Sequence, residues 1–328
     1  MLLSKQDGVI NMLIGNQQYD LDNINGELIA NEPLSKHTTW KVGGPASLYF
    51  KPKNKKDLQK FLTILDDSQP ILWLGLGSNI LFPDSGFDGV VINAVGQLKN
   101  IEYQEISQQN MQVYVEVGVT CSKFSSEMAS RGLLGAEFFS GIPGSMGGAL
   151  AMNAGAFKGE TWKAVINVET IDIKGNFHHR KAKEFDVSYR HVSGLDKDQD
   201  HQKEWYVSAD FVFERNPEQV ELSKQQIKNM LLKRNETQPV QQANAGSVFK
   251  NPEGNYAAKL IEQCELKNTQ IGDAIVSNKH ANFIINQGKA SSADIINLIE
   301  LVQETVLKQT GILLEREVVI IKNSKVLH

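Results

Sequence analysis

The sequence predicts a mixed α+β protein of more than one domain, whose ligand-type turns are not those of a Rossmann unit. Three observations carry this. At 328 residues the chain exceeds one ordinary core, and two or three domains of roughly 100–150 residues are expected. Helical apolar periodicity alternates with short β-rich runs along its length. The glycines concentrate in two stretches whose spacing fails the dinucleotide fingerprint.

The longer stretch, residues 135–157 (GAEFFSGIPGSMGGALAMNAGAF), holds six of the 26 glycines. Glycine admits close backbone approach and positive φ, so successive N–H groups can cradle phosphate or a flat polar ring. Residues 145–154 read as the start of a short helix, whose N-terminus favours an anion. Close packing with tight turns explains the same composition, which leaves both readings open. The second stretch, residues 70–81 (PILWLGLGSNIL), reads as a buried strand entering a polar turn, Gly75-Leu76-Gly77-Ser78-Asn79. Position 80 is Ile where the fingerprint needs its third glycine, and Pro83 blocks a following long helix.

Along the chain, residues 1–30 are weakly patterned and polar and read as a partly ordered extension. Thr38 to Val42 favour extended structure, Gly43-Gly44-Pro45 a turn, and ASLYF a strand. Leu58, Phe61, Leu62 and Leu65 make 55–66 an amphipathic helix, followed by strands at 71–74 and 89–93. From about Leu98 the rhythm changes: paired strands at 100–105 and 113–118, and a helix at 121–131. Strands at 165–173 and near His178 are joined by a Lys174-Gly175-Asn176 turn, and an alternating strand follows at 205–213. The polar run SGLDKDQDHQKE before it reads as a solvated loop. A helix at 219–235, with Val220, Ile227, Met230 and Leu231 on one side, opens a further region. Within it come helices at 256–264 and 291–307, a strand in 274–286, and an apolar strand at 312–321 interrupted by Glu315-Arg316-Glu317. There is no fixed-period repeat.

A hydrophobic content of 41% and a charged content of 22% are those of a soluble globular protein. A net charge of −4 argues against a nucleic-acid partner. No apolar run approaches the ~20 residues that cross a bilayer, so no membrane association is expected. The N-terminus is a poor signal peptide, and a cytoplasmic protein is expected. Cys121 and Cys264 form no C-x-x-C pair and read as small buried hydrophobes. His178, His179, His191, His201 and His280 show no metal-ligand spacing, and no metal is expected.

Three short segments offer chemistry. In Ser188-Tyr189-Arg190, the arginine fork suits a carboxylate or phosphate, although a lone Arg is more often a surface ion-pair residue. In NAGSVFKNP (residues 244–252), Ser247 presents a hydroxyl beside Lys250 and Asn251. A serine hydroxyl is a weak acid, useful as a donor only to a strongly basic carbanion or enolate. No Gly-x-Ser-x-Gly elbow surrounds it, which disfavours a Ser–His–Asp hydrolase, and a capped turn serine explains it in isolation. In residues 312–321, strand alternation would put Glu315 and Glu317 on one face, lining a polar cavity or exposed at an edge.

Taken in order, HTTWKVGG, GLGSNIL, EFFSGIPGSMGGALAMNAGA, SYR, NAGSVFKNP, AAKLIEQCELK and LEREVVII resemble the UDP-N-acetylenolpyruvoylglucosamine reductase (UDP-N-acetylmuramate dehydrogenase) family, from about His37 to Lys322. The resemblance implies an α+β vanillyl-alcohol-oxidase-type (PCMH-type) FAD-binding fold of two lobes plus a C-terminal α+β substrate-binding domain. The corresponding division is 1–30 extension, 31–97 first lobe, 98–215 second lobe and 216–328 substrate domain. It implies non-covalent FAD lined by Val42, Gly75, Leu76, Gly77, Ser78, Asn79, Gly141, Ile142, Pro143, Gly144 and Ser145, with Gly148 and Asn153 packed close. It implies that NADPH reduces the FAD, and that hydride then passes from flavin N5 to C3 of UDP-N-acetylglucosamine enolpyruvate, in peptidoglycan precursor synthesis. Ser247 matches the proton donor to C2; Arg190 and Glu317 match groups that stabilise the carboxylate of the intermediate. Glu317 would be held protonated by burial or a neighbouring like charge. Tyr189, Arg190, Lys250 and Asn251 would hold substrate, and the protein would act as a monomer.

One class of this family carries an added loop whose tyrosine caps the substrate. Tyr206 is the only tyrosine between Arg190 and Ser247 and lies in a predicted strand, so this chain resembles the class without that loop. Lys233 and Arg234 are then candidates for the substrate diphosphate, or decorate a helix end. Two rival readings remain. One is an oxidase of alcohols or other sugars on the same FAD fold; its covalent-flavin form is weakened because residues 75–157 contain no His and only Cys121. The other is a non-catalytic nucleotide-sugar-binding protein, which would need no proton donor.

Overall fold

The computed structural model describes residues 2–6, 9–14, 17–21, 24–66, 68–195, 203–322 and 325–327. Six α-helices run in order: α1 (Lys55–Ile64), α2 (Cys121–Ser130), α3 (Met146–Ala151), α4 (Val220–Thr237), α5 (Ala257–Gln263) and α6 (Ser292–Thr310). The chain forms two compact units, neither continuous in sequence. The first comprises Met1–Ala30, Leu48–Gly75 and Val90–Leu232; the second comprises Asn31–Ser47, Leu76–Gly89 and Lys233–His328. The serial division into an extension, two lobes and a substrate domain therefore does not coincide with them. Residues 31–47 and 76–89 group with the C-terminal third because Trp40, Val42 and Leu81 belong to its apolar core.

The first unit is built on a six-stranded antiparallel sheet. Its order is Phe177–Lys181, Val165–Asp172, Glu204–Arg215, Asn110–Glu116 and Ile101–Glu105, with Leu133–Leu134 also paired to Glu204–Arg215. The register sets Val113 opposite Phe211 and Tyr103. Residues 204–209 of the Glu204–Arg215 strand are buried on both faces, because it lies at the sheet centre; alternation alone predicts one wet face. Phe124 of α2 meets Phe139 edge-on at 5.2 Å and Phe211 at 5.3 Å. In the same unit Ile71–Leu74 runs parallel to residues 90–93, with Ile71 opposite Val90.

Leu2–Gln6, Val9–Ile14 and Gln17–Asp20, within the stretch read from sequence as a weakly patterned extension, form a three-stranded antiparallel sheet. The overlooked signal is the pair of turn dipeptides, Asp7-Gly8 and Gly15-Asn16, set between apolar runs. The predicted solvated loop falls largely outside the described residues. Helix α4 also departs from expectation: only Ser223 is buried, while Leu231 is exposed. One carboxylate anchors its first turns in place of an apolar face. Buried Glu137 accepts from Ser223 Oγ at 2.7 Å and from Gly135 N at 2.9 Å.

In the second unit, α5 and α6 pack over a small core that includes Trp40, Phe249, Leu298 and Ile320. Trp40 is fully buried, donating from Nε1 to Ile284 O at 2.7 Å while its carbonyl accepts from Asn286 Nδ2 at 2.9 Å. Helix α6 starts with a Ser291–Asp294 capping box and is capped again by Asp84, whose carboxylate accepts from Ser292 N at 2.8 Å and Ala293 N at 3.1 Å. The strand expected over 312–321 is only Val319–Lys322, parallel to Ile80–Leu81; residues 315–317 have extended pairing at a single bridge, Phe249 with Arg316. Glu315 is exposed and Glu317 half-buried, so strand alternation does not set their faces. Both cysteines are buried, and burial pushes the Cys121 thiol up to about 12. Among the described residues, no helix is long and apolar enough to cross a membrane.

The 172–178 turn of the first unit gives a pH test. Asp172 accepts from Lys174 N and Asn176 N, both at 2.9 Å, and from the Asn176 amide and His178 ring at 3.0 and 2.9 Å. Burial alone would raise its pKa, but these donors outweigh it and hold the carboxyl below its usual value. Its stabilisation is therefore full above the unfolded value near 3.9 and is lost as pH falls through the lower folded one. Asp172→Ala is expected to cost about 1.5–3 kcal/mol at pH 7 in urea unfolding. The gap to wild type should narrow below about pH 4; a gap independent of pH would contradict this account.

Candidate active site

The residues singled out from sequence divide between the two units. In the first, the long glycine stretch and the end of the first glycine turn meet: a Cβ on Gly75 would lie 2.8 Å from Ser145 Oγ. Gly75 O accepts from Asn93 Nδ2 at 3.1 Å. Ser145 caps α3, its Oγ accepting from Gly148 N at 3.5 Å. The next donors are also taken, Met146 N by Val119 O at 2.8 Å and Gly147 N by Val117 O at 3.0 Å. The α3 terminus is thus engaged in packing, contrary to the expectation that it offers an anion site. Donors remain one step earlier: among the described residues, no carbonyl of the same unit accepts from Gly144 N or Ser145 N. Gly141 is needed for packing, since a Cβ there would lie 2.7 Å from the Phe157 ring. Ile142 packs beside the core, whereas Pro143 and Gly148 are exposed.

Tyr189 and Arg190 form the two-residue turn between strands Asp186–Ser188 and His191–Ser193, where Ser188 pairs with His191. A tight turn displays both side chains. Tyr189 is 52% exposed, and the Arg190 guanidinium lies 5.1 Å from its ring. Arg190 takes a left-handed φ of 56°, a conformation uncommon for residues other than glycine. Its Nη2 donates to Gly155 O at 3.1 Å. Asn153 ties this turn to the glycine stretch. It is 1% exposed and donates to Ser188 O at 3.1 Å and Glu160 Oε2 at 3.2 Å, while accepting from Trp162 N at 3.2 Å. Its carboxamide is committed to protein partners. Lys163, followed by Asn153 and Arg190, holds the Glu160 carboxyl below its usual pKa.

In the second unit, Gly77 has φ +64°, and a Cβ on it would lie 2.0 Å from His37 O. Its carbonyl accepts from Thr39 N at 3.0 Å, joining the GLGSN turn to the HTTW segment. Among the described residues, no carbonyl of this unit accepts from the N–H of Leu76, Gly77 or Ser78. Asn79 donates from Nδ2 to Glu317 O at 3.0 Å and accepts at its own carbonyl from Val319 N at 3.0 Å, so it fixes the Glu317 backbone. The Val42 side chain is buried in this core, and its carbonyl accepts from Thr38 Oγ1 at 2.9 Å.

Ser247 follows Gly246, which is left-handed at φ +75° and is held by Asn244 Oδ1 accepting from Gly246 N at 2.9 Å. Val248 O accepts from Glu317 N at 2.8 Å and Val318 N at 3.3 Å, and Lys250 N donates to Glu315 O at 2.9 Å. This brings the Ser247 and Glu317 segments together. Among the described residues, none accepts a hydrogen bond from the Ser247 hydroxyl. Lys250 Nζ lies 3.5 Å from Glu315, an exposed pair, and Asn251 Oδ1 accepts from Ala257 N at 3.1 Å, capping α5. Arg234 donates to Gln238 Oε1 at 3.2 Å, one turn away along α4. Tyr206 is buried in its strand, as expected, and does not stand on a loop.

Sequence reasoning missed Asn282. Its carboxamide accepts from Phe249 N at 2.9 Å and donates to Phe249 O at 2.8 Å, while its main-chain carbonyl accepts from Val248 N at 2.9 Å. No motif marks an asparagine for this task; only its place in HANF, an otherwise apolar run, hinted at burial.

Comparisons with known proteins give the chain's family. A family model described as UDP-N-acetylenolpyruvoylglucosamine reductase, C-terminal domain, matches residues 238–321, and one described as FAD binding domain matches residues 46–180. A UDP-N-acetylenolpyruvoylglucosamine reductase of Legionella pneumophila (strain Corby) is 50% identical over 302 residues, covering 92% of this chain and 94% of its own. One of Coxiella burnetii (strain Dugway 5J108-111) is 43% identical over 321 residues, covering 92% and 98%. The crystal structure of the Thermus caldophilus UDP-N-acetylenolpyruvylglucosamine reductase superposes with a TM-score of 0.72 at 29% identity, over 91% of this chain and 100% of that one. The fold is the expected α+β one with an FAD-binding domain, shared with the Thermus caldophilus reductase.

Gly77 gives a direct test of the first turn. Gly77→Ala adds a left-handed penalty of about 1 kcal/mol and a clash with main chain that no rotamer relieves. The variant should lose several kcal/mol, roughly 3 or more, in thermal or urea unfolding. Wild-type stability in this variant would refute the placement of His37 O.

Proposed function

The chain belongs to the UDP-N-acetylenolpyruvoylglucosamine reductase family, and from that premise we propose that it reduces UDP-N-acetylglucosamine enolpyruvate to UDP-N-acetylmuramate with NADPH, for peptidoglycan precursor synthesis. The residues of each unit suit FAD oxygens: in the first, the donors at Gly144 and Ser145 and the room left by the bare Gly75 beside Ser145; in the second, taken by itself, the donors at Leu76 to Ser78. FAD, when bound, supplies the hydride that the enolpyruvyl C3 receives and regains its electrons from NADPH.

The observation that carries the reading is the pairing of the Ser247 and Glu317 segments through Val248 O within the second unit. Hydride addition at C3 puts an electron pair on C2 and the adjoining carboxylate. Ser247 gives its proton to C2 and is reprotonated from water; a carbanionic acceptor is basic enough to take a proton from a serine hydroxyl. Glu317, in its protonated form, donates a hydrogen bond to the substrate carboxylate. Arg190, by its family match, offers a planar fork suited to a carboxylate, and a cation aimed at developing charge contributes several kcal/mol. Tyr189, Lys250 and Asn251 hold the substrate.

The test separates the two half-reactions by flavin absorbance under anaerobic mixing. Ser247→Ala should still be reduced by NADPH, yet turnover should fall by about 10²–10⁴-fold. Turnover within twofold of wild type would remove Ser247 as the donor. Fast reoxidation of the reduced wild type by oxygen, with none by the UDP-sugar, would favour an oxidase on the same fold.

A further inference from the structure

We propose that Asn282 is the positioning residue for the Ser247 proton donor; this rests on the role given to Ser247 above. Ser247 lies in no strand and follows the left-handed Gly246, so with only the Asn244 bond to Gly246 N its hydroxyl could still swing. What stops the swing is the residues after it. On one side Val248 O accepts from Glu317 N and Val318 N. On the other, the segment has no strand partner, and the side chain of Asn282 acts as one. It bonds both polar groups of Phe249, at 2.9 and 2.8 Å, while its carbonyl takes Val248 N at 2.9 Å.

The residue type is dictated by this geometry. A carboxamide offers one donor and one acceptor in a plane, as a peptide group does. An ionised carboxylate accepts but cannot donate to Phe249 O, and alanine would leave both groups unpaired where Phe249 is buried. Asn282 is 3% exposed, so water does not readily replace it. It is itself held in a tight turn: Ser277 Oγ accepts from Lys279 N at 3.1 Å and His280 N at 3.3 Å, and Phe283 N donates to His280 O at 3.0 Å. The chain from turn to carboxamide to Phe249 to Ser247 is continuous within the second unit.

The test compares Asn282→Ala and Asn282→Asp holoenzymes with wild type, Ser247→Ala and Asp84→Ala. The last removes one of the two α6 caps, a stability loss outside the 247–249 segment. Each is reduced with stoichiometric dithionite and mixed with UDP-N-acetylglucosamine enolpyruvate. Asn282→Ala should reoxidise about 10²-fold slower, the loss that a displacement of about one ångström produces. Its product should contain both configurations at C2, because water then delivers the proton without facial control. The amides of residues 248 and 249 should lose hydrogen-exchange protection. In Asn282→Asp, reoxidation should be slow at neutral pH and recover as pH falls, since the protonated carboxyl again offers one donor and one acceptor; wild type should show no such recovery.

An unchanged reoxidation rate and a single C2 configuration in both Asn282 variants would overturn the proposal. So would an equal slowing in Asp84→Ala at matched Tm. If Ser247→Ala itself reoxidises normally, the donor assignment fails and this proposal with it. Slow Ser247→Ala beside normal Asn282 variants would remove only the positioning role.

Discussion

A buried peptide group must be hydrogen-bonded, and every segment carrying a candidate catalytic residue here runs outside regular secondary structure or through a tight turn. The molecule meets that constraint largely with asparagine side chains. Asn153 serves the Ser188 carbonyl and the Trp162 N–H, Asn79 the Glu317 carbonyl, Asn244 the Gly246 N–H, and Asn282 both groups of Phe249. Each carboxamide replaces the strand neighbour that a loop lacks. The loops are therefore set by short, directional bonds, from buried side chains in the case of Asn153 and Asn282, which suits groups whose chemistry depends on small displacements.

The same constraint explains why some residues that read as ligand contacts are occupied by the protein. Asn153 is fully committed to internal partners, Asn251 accepts at the first turn of α5, and the donors that open α3 are used against residues 117–119. Within each unit, taken by itself, the donors with no main-chain acceptor among the described residues are N–H groups of its glycine turn, and these are what the proposed FAD reading would use. Glycine serves there in two ways, by leaving space at Gly75 and by reaching left-handed φ at Gly77. An FAD site built from backbone has little side-chain chemistry to read in a sequence, which is why spacing alone left it level with a packing explanation.

Long-range packing assembles the rest. Trp40 and Val42 reach the core around α5 and α6 across more than two hundred positions of sequence, and Asp84 caps α6 from a comparable distance. Burying an indole of this size accounts for several kcal/mol, about 3–5 by the cost of its removal. Such a contribution outweighs sequence proximity, so the compact units are discontinuous even though the elements within them follow the chain in order.

Local elements were legible from the sequence because their causes are local. Helix α1 follows from its apolar period, the 71–74 strand from its apolar run, and the 174–176 turn from its glycine. The ordered motifs were enough for family, cofactor and reaction class. The N-terminal three-stranded sheet, the exposed face of α4, the late start of the 319–322 strand and the discontinuous units were not legible, since each depends on which distant surface covers a segment. The role of Asn282 belongs to the same group. Sequence by itself determined which residues could do chemistry, because residue type sets pKa, donors and charge. Only the tertiary structure decided which of them are already bonded and which stand ready, because a hydrogen bond is a matter of distance and direction between groups remote along the chain.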